Sequence, residues 1–339
     1  LEPLPPRYVS TVDSGNLAAC LMAVRQACLE LPGLPLLRRE RWQGLLDTLA
    51  LLAEGLPGPG AAGPDPAMDA LEHHLADLRR QVTAAQDQPD GWVPLLVDLA
   101  TRGRSTLDAL LTGLVESGAP GLDIAALRAV RLWAERVHHH LGSMERDVEL
   151  LVPWLPLLAG PPPWPADPEL EAGWQALRSL LSAPITLDDV AATARAAEAP
   201  LVALQARLDR LAETAIAGAA PDPEALGQAR AWCRQLGVAL EAAPIGAGGL
   251  LGAYADLAAH ADGLVRAMEF GFLYDAHRQV FHIGYNVSAG QLDRNYYDLL
   301  ASEARIASLV AIALGDVPPS HWLHLDRPIT RVAGDRMLL

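Results

Sequence analysis

Short polar side chains are concentrated near the start of the chain, in a run at residues 8–17 that reads YVSTVDSGNL. Hydroxyl, carboxylate and amide groups meet there at the predicted beginning of a helix. Asp13 and Ser14 are of the residue types that cap helix N-termini, because their side-chain oxygens accept hydrogen bonds from free backbone N–H groups. Alternatively, this edge faces a cleft, in which short polar side chains bind sugar hydroxyls in fixed directions. The sequence leaves both roles open for Asp13.

One carboxylate is conspicuous near the other end of the chain. Residues 294–314 are predicted to form one helix, and helical spacing puts Glu303 in an otherwise apolar stripe. The other members of that stripe are Leu299, Ile306 and Val310. Burial there would raise the pKa of Glu303, which is what a general acid needs to hold a proton near neutral pH. The alternative is a structural carboxylate paired with a buried arginine. Asp298 points to another side of such a helix and is no same-face partner.

Aromatic and imidazole groups follow that helix, at His321, Trp322 and His324. An aromatic face packs well against the apolar face of a pyranose ring, so this group could form a sugar-stacking platform. The same residues could instead close the core of a turn. The sequence does not favour one role over the other.

Two clusters of histidines have the wrong spacing for a metal site. Residues 138–140 are consecutive histidines, and consecutive residues of a helix point in different directions, so they cannot all bind one ion. The pair His73 and His74 is interpreted in the same way, and neither a metal nor a cofactor is predicted. GxxxxGK, HExxH and GxSxG motifs do not occur, so P-loop, zinc-protease and serine-hydrolase chemistry have no support.

Proline and glycine divide most of the chain into helices of ordinary length. The predicted helices cover residues 14–31, 37–56, 67–86, 93–116, 124–151, 168–181, 187–216, 223–242 and 250–268. Residues 57–66 predict a linker, and residues 217–221 predict a break. Phe and Tyr are concentrated at residues 271–287, where two apolar stretches flank a polar turn, which predicts a β-hairpin. The fold class predicted is therefore mainly α.

Composition excludes several classes of partner. Lys and Arg total 26 against 41 Asp and Glu, so the formal net charge of −15 leaves no basic surface for nucleic acid.

Cys20, Cys28 and Cys233 have no CxxC spacing and are predicted to be buried, reduced thiols. Apolar runs stay short of the ~18 residues that cross a bilayer. The sequence therefore predicts a soluble chain without a membrane segment.

Regions near both ends resemble the glycoamylase-like part of cyclic β-1,2-glucan synthases. The first region is YVSTVDSGNLA, which begins at Tyr8. The second region contains FLYD from Phe272, IGY from Ile283, YDLLASEAR from Tyr297 and GDVPPSHW from Gly315. The helical middle is similar to that family only in general character.

The resemblance implies a reaction and a set of site residues. In that family, a membrane-bound glycosyltransferase unit elongates linear β-1,2-glucan from UDP-glucose, and a phosphorylase-like unit adjusts its length. The glycoamylase-like unit, an (α/α)6 barrel, cyclises the glucan by transglycosylation with retention. Carried onto this sequence, the resemblance makes Glu303 the candidate acid/base and puts Asp13, Tyr297 and Asp298 near the sugar-binding cleft. Trp322 is a further candidate for contact with the sugar.

The chain departs from the family pattern at the second carboxylate. Motifs similar to MFEY and WGISES, the latter carrying the Glu that resembles a nucleophile, do not occur before Leu339, and an NWYD-like stretch expected before Leu1 is also absent. Retention normally uses two carboxyl groups about 5–5.5 Å apart. The isolated chain is therefore predicted to be inactive.

Together these observations predict a partial (α/α)6 barrel with a large helical insertion. Residues 1–56 and 269–339 would be the two parts of the barrel, and residues 57–268 the insertion. The apolar side chains of each end, such as Leu17 and Val24 in the first helix, are expected to pack against those of the other end. The expected function is the cyclisation step of the synthase, at the cytoplasmic side of the bacterial inner membrane. Its expected partners are the β-1,2-glucan chain and the other domains of the same synthase.

A different class of function stays open. The chain could be a non-catalytic helical module that docks sister domains or guides the growing glucan. An enzyme region should bring Asp13, Tyr297, Asp298 and Glu303 into one cleft. A docking module should instead expose an apolar patch larger than the few hundred Å² that are usual for a monomer.

Overall fold

The computed structural model describes residues 5–57, 65–118, 122–215 and 222–338. Most of the predicted linker 57–66 and all of the predicted break 217–221 lie outside these ranges. The helices are α1 Thr11–Glu30, α2 Arg39–Glu54, α3 Pro66–Ala85, α4 Trp92–Asp98, α5 Arg104–Glu116, α6 Ile124–Leu151, α7 Leu155–Ala159, α8 Pro168–Leu181, α9 Val190–Ala215, α10 Pro223–Arg266, α11 Arg305–Leu314 and α12 Ser320–His324. The strands are β1 Tyr8–Ser10, β2 Tyr274–Asp275, β3 Val280–His282, β4 Gly284–Asn286, β5 Gln291–Leu292, β6 Tyr296–Tyr297, β7 Ile329–Val332 and β8 Asp335–Leu338. The prediction of a mainly helical fold is confirmed.

The chain forms two compact units. The end unit combines Leu1–Pro32 with Gly252–Leu339, and the middle unit is Gly33–Leu251. The two terminal regions, which are far apart in sequence, therefore meet in one unit. The domain limits inferred from the resemblance, at residues 56/57 and 268/269, stay predictions.

The middle unit is built from amphipathic helices that bury one leucine-rich side. Helix α2 packs against α3 and α6, α3 packs against α5, and α8 packs against α9. Fully buried leucines recur at helical spacing: Leu45, Leu49 and Leu52 in α2, and Leu71 and Leu75 in α3. Burial of each such side chain contributes about 1.5–3 kcal/mol, which is why the spacing of leucines predicts these helices so well.

Aspartates fix where several of these helices begin. Asp65, Asp123 and Asp167 each accept a hydrogen bond from a backbone N–H in the first turn of α3, α6 and α8, respectively. Asp167 also pairs with Arg207 of α9, and the guanidinium hydrogen bond is the main reason that the pKa of Asp167 is lowered. These contacts satisfy N–H groups that have no partner within the helix.

Helix α10 is longer than predicted. The sequence predicts two helices over residues 223–242 and 250–268, whereas α10 continues through Pro244 to Arg266. Ala243 and Ala247, on either side of the proline, are buried and hold the helix to its neighbours, so packing overrides the local preference for a break. Gly246 lies so close to the carbonyl of Leu150 that a Cβ there would come within 2.5 Å of it.

The same region corrects the prediction that no apolar segment could span a bilayer. Pro223–Leu273 contains an 18-residue window with a mean hydropathy of 1.4, of which 28% is buried. By length and composition alone this window could cross a membrane. Core helices of water-soluble proteins pass the same test, so the window decides nothing about location by itself.

The end unit contains two antiparallel sheets of three short strands each. One has the strand order β1-β4-β5, and the other β2-β3-β6. Strands β2 and β3 pair Tyr274 with Phe281, which confirms the hairpin predicted at residues 271–287. Strand β1 pairs Tyr8 with Asn286 and Ser10 with Gly284, so the start of the chain is joined to the hairpin region by backbone hydrogen bonds.

Small residues bring α1 and α11 together. Gly15 of α1 approaches Ala307 of α11 so closely that a Cβ on the glycine would lie 2.5 Å from the alanine Cβ. Ala18 and Ala311 are also fully buried. The expectation that larger apolar side chains join the two ends is wrong for Leu17 and Val24, which are exposed, but it holds for Val310, which is buried in the shared core. The aromatic core beside this contact contains Phe270, Leu273, Phe281 and Val317.

The helix predicted at residues 294–314 begins much later. Tyr296 and Tyr297 form β6, which pairs with β3, and α11 starts at Arg305. Gly315, with φ of +83°, ends the helix as the sequence predicts. A short hairpin of β7 and β8 follows α12 and was not predicted; Gly334, which has a positive φ, lies in its turn.

Candidate functional site

Asp13 lies in the first turn of α1 and is exposed. The cap of this helix is Ser10, whose side-chain oxygen accepts a hydrogen bond from the backbone N–H of Asp13 at 3.2 Å. The prediction that Asp13 or Ser14 is the cap is therefore wrong. Because Ser10 does the capping, the Asp13 carboxylate faces solvent and is available to a ligand.

Tyr297 is the residue around which the predicted site residues gather. It ends β6 and is half-buried. Burial raises the pKa of its phenol, and the nearby negative charges of Glu303, Asp13 and Asp293 raise the pKa further. The phenol is therefore protonated at neutral pH and can donate a hydrogen bond. Asp13 and Glu303 are thus near enough to Tyr297 for their charges to act on its phenol.

Asp293 also belongs to this group, although it was not predicted as a site residue. One carboxylate oxygen accepts from the backbone N–H of Asn295 at 3.1 Å, and the other accepts from the Tyr8 hydroxyl at 3.2 Å. Hydrogen bonding from the backbone N–H of Asn295 is the largest cause that lowers the pKa of Asp293. The D-x-N spacing is typical of a turn closed by an aspartate side chain. It was missed because a helix was expected to begin at this position.

Glu303 lies in the turn before α11, not inside a helix, and its side chain is exposed. The prediction that it is buried in an apolar stripe is therefore wrong. The stripe fails because Leu299 and Ile306 are exposed, and the buried side of α11 is formed instead by Ala307, Val310 and Ala311. Ser302 helps to set this turn, since its hydroxyl oxygen accepts from the N–H of Ala304 at 3.0 Å. The role of Glu303 stays a prediction.

Asp298 and Trp322 are positioned by hydrogen bonds to their backbone carbonyls. Asp298 is exposed, and its backbone carbonyl accepts from the N–H of Asp326 at 2.6 Å. It is not among the groups whose charge shifts the pKa of Tyr297. Trp322 is half-buried in α12, and its carbonyl accepts from the Arg327 guanidinium at 2.8 Å. The structure thus fixes the backbone at both residues, and their contact with sugar stays a prediction.

His321 closes the core of a turn, which was one of its two predicted roles. It is fully buried, and its Nδ1 lies 2.8 Å from the carbonyl of Gln279 while its Nε2 lies 2.8 Å from the Ser308 hydroxyl. A carbonyl can only accept, so the neutral ring donates from Nδ1 and accepts at Nε2. The rings of Tyr274 and Phe281 meet the imidazole edge-on, at centroid distances of 5.6 and 4.8 Å.

This burial predicts a dependence of stability on pH. Desolvation lowers the pKa of His321 below its ordinary value of 6.5. The unfolded chain therefore binds more protons than the folded chain just below pH 6.5, and the free energy of unfolding falls as the pH drops through that region. Hydrogen exchange of backbone amides in α11 and β3, followed from pH 7.5 to 5.5, should show weakening protection.

The variant His321→Gln should make that loss of protection shallower, because the titrating group is gone. The matched control is His277→Gln, since His277 is exposed in the turn between β2 and β3 of the same unit. An unchanged slope in His321→Gln would show that another group causes the pH dependence. Measurements of global unfolding would not isolate His321. The pKa of His140 in the middle unit is also lowered by burial, so that histidine makes its own contribution to the pH dependence.

The remaining histidine and cysteine predictions have mixed outcomes. His140 bonds to the carbonyl of Arg41 at 2.8 Å, whereas His138 lies 3.4 Å from the Asp108 carboxylate, so the two rings face different helices. His140 is half-buried rather than fully solvated. Cys28 and Cys233 are buried as predicted, and burial raises the pKa of the Cys233 thiol to about 12. The prediction fails for Cys20, which is exposed.

Comparison with known proteins confirms the resemblance to a cyclic β-1,2-glucan synthase. Over 335 residues, or 98% of this chain, the sequence is 29% identical to the cyclic beta-(1,2)-glucan synthase NdvB of Rhizobium meliloti (strain 1021). The chain spans only 8% of that relative. No family model matches the chain. The chain is thus related to a region of a glucan synthase, and the similarity extends through the helical middle, where only a general likeness was expected.

Proposed function

We propose that this chain is part of a cyclic β-1,2-glucan synthase, from the region that cyclises linear β-1,2-glucan by transglycosylation with retention. The observation that carries the proposal is the similarity to NdvB over 98% of the chain. The grouping of two exposed carboxylates, Asp13 and Glu303, around the phenol of Tyr297 supports it. The end unit would then be part of an (α/α)6 barrel.

In this proposal, Glu303 is the acid/base. It would protonate the oxygen of the glycosidic bond that breaks, and would later take the proton of the glucan hydroxyl that attacks. The carboxylate nucleophile would come from another part of the synthase.

Asp13 and Tyr297 would orient the glucan. An exposed carboxylate accepts hydrogen bonds from sugar hydroxyls, and the protonated phenol of Tyr297 donates one. Asp298 and Trp322 are further candidates for contact with sugar. The partners in this proposal are the glucan chain and the other domains of the synthase, at the cytoplasmic side of the bacterial inner membrane.

Binding without conversion is the expected behaviour of the isolated chain. Calorimetric titration with a linear β-1,2-glucan should detect binding, and Asp13→Asn should weaken it. Asp256→Asn is the matched control, because Asp256 is an exposed aspartate on the α10 part of the same unit. Mass analysis of the products should show neither cyclic nor shortened glucan, because the second carboxylate of the pair is missing.

A second function is favoured by one feature of the middle unit. Val238 and Ile245 lie seven residues apart on α10, and their exposed fractions are 67% and 78%. These two residues lie on one side of the helix and would belong to the larger apolar patch that a docking module exposes. If the isolated chain binds no glucan, the non-catalytic module that docks sister domains becomes the better proposal.

A further inference from the structure

Tyr8 presents an aromatic ring on the surface of the end unit, with 41% of the residue exposed. The ring lies over Gly284, which is on the neighbouring strand of the same sheet. A Cβ at Gly284 would come within 2.3 Å of the Val9 carbonyl oxygen, 2.6 Å of Cε1 of the ring and 2.7 Å of Cζ. The glycine therefore leaves the space that the ring fills, an arrangement known to stabilise glycines in sheets.

The far end of the same ring is also fixed. The Tyr8 hydroxyl donates to the Asp293 carboxylate at 3.2 Å, and the other oxygen of that carboxylate accepts from the backbone N–H of Asn295. Burial and the bond to Asp293 raise the pKa of Tyr8, so it is protonated and able to donate at neutral pH. A ring held at both ends loses little conformational freedom when a ligand packs on it.

The ring of Tyr8 lies close to the carboxylate of Asp293. Asp293 interacts electrostatically with both Tyr8 and Tyr297, and Tyr297 in turn interacts with Tyr8. Tyr297 also interacts with Asp13 and Glu303. The hydrogen bond from Tyr8 to Asp293 therefore places the ring beside a carboxylate whose charge also acts on Tyr297.

We propose that Tyr8 is a stacking subsite for one glucosyl residue of the glucan, at the edge of the site that contains Asp13, Tyr297 and Glu303. The inference rests on the proposed function. Pyranose rings carry C–H groups on their faces, and these pack on the negative face of an aromatic ring, while the hydroxyls at the rim stay hydrogen-bonded. A neutral glucan chain suits a rigid aromatic surface of this kind.

The test is a calorimetric titration of the chain with a linear β-1,2-gluco-oligosaccharide. Tyr8→Ala should raise the Kd about tenfold, and Tyr8→Phe should raise it less, about threefold or below, because the ring remains and only the bond to Asp293 is lost. Phe272→Ala is the matched control, since Phe272 is an aromatic residue of the same unit with a similar exposed fraction of 46%. The control should leave the Kd unchanged.

A second measurement covers the case in which Tyr8→Ala does not fold. The chain is labelled with 3-fluorotyrosine, and the Tyr8 resonance is identified as the one missing in Tyr8→Phe. It should shift when the oligosaccharide is added. Binding that leaves this resonance and the Tyr8→Ala affinity unchanged would overturn the stacking subsite alone. If the wild-type chain binds no oligosaccharide, the proposed function fails together with the subsite.

Discussion

Replacing Glu303 by glutamine in the full-length synthase is expected to slow cyclisation by about 10²–10⁴-fold, whereas elongation of the linear glucan continues. Glutamine has nearly the shape of glutamate but cannot give up or take a proton at the glycosidic oxygen. Glu303 is exposed in the turn before α11, so the change leaves the buried contacts of that helix in place. Mass analysis of products made from UDP-glucose would separate linear from cyclic glucan.

The control for this prediction is Glu269→Gln, an exposed glutamate of the same unit. It should cyclise at the wild-type rate. A positional rather than chemical role for Glu303 would leave the shape of the pH–rate profile unchanged, whereas loss of an acid/base removes one limb of it. Cyclic products formed at the wild-type rate by Glu303→Gln would contradict the assignment. Loss of elongation as well would indicate a folding defect.

Substitution of Gly15 by alanine should destabilise the end unit by about 1–3 kcal/mol, the usual cost of overpacking. The new Cβ would lie 2.5 Å from the Cβ of Ala307 and 2.6 Å from its backbone N and Cα. Backbone atoms cannot rotate away, so α1 and α11 would have to separate. This cost exceeds the gain of up to about 1 kcal/mol from replacing a glycine inside a helix.

Gly263 provides the matched variant. It lies inside α10 in the same unit, and a Cβ there would meet nothing within 4 Å. Gly263→Ala should therefore stabilise its helix by up to about 1 kcal/mol. Hydrogen exchange of the amides in α1 and α11 would report both effects on the unit concerned. Equal protection in Gly15→Ala and the wild type would mean that the two helices are not in such close contact.

The sequence predicts elements well where local signals decide them. The leucines of α2 and α3 recur at helical spacing, and Gly315 stops α11, so these features follow from periodicity and turn chemistry. The hairpin around residues 275–279 was also predictable, because aromatic stretches flank a polar turn. In each case the signal lies within about twenty residues of chain.

The errors arise where distant contacts decide the structure. Residues 294–304 have a helical pattern of apolar residues, but β6 pairs Tyr297 with Phe281 of β3 and takes that segment out of the helix. Glu303 therefore lies in an exposed turn, and the argument from burial is wrong, so its selection rests on the resemblance alone. Ser10, not Asp13, is the cap because the pairing of β1 with β4 keeps the chain extended up to Ser10. The helix therefore begins at the next residue, Thr11.

Only part of the candidate site could be predicted, because some of its residues are brought together by contacts between distant parts of the chain. Asp13, Tyr297 and Glu303 could be selected by their resemblance to a known family. The turn at Asp293 has a local signal, but its link to Tyr8 has none, because the hydrogen bond joins residues 285 positions apart. Likewise, the fit between Gly15 and Ala307 has no periodic signature, since small residues are common in helices of this chain.

The pairing of β1 with β4 also sets an order of events during synthesis on the ribosome. Val9 pairs with Tyr285, so β1 stays without its partner while the whole segment between them is translated. At about 5–20 residues per second, that interval lasts roughly 15–55 s. The middle unit leaves the ribosome before the second part of the end unit has been made, and it has time to fold first. Until then, the emerging first helix keeps its closely packed glycine and alanine side uncovered, where a chaperone could reach it.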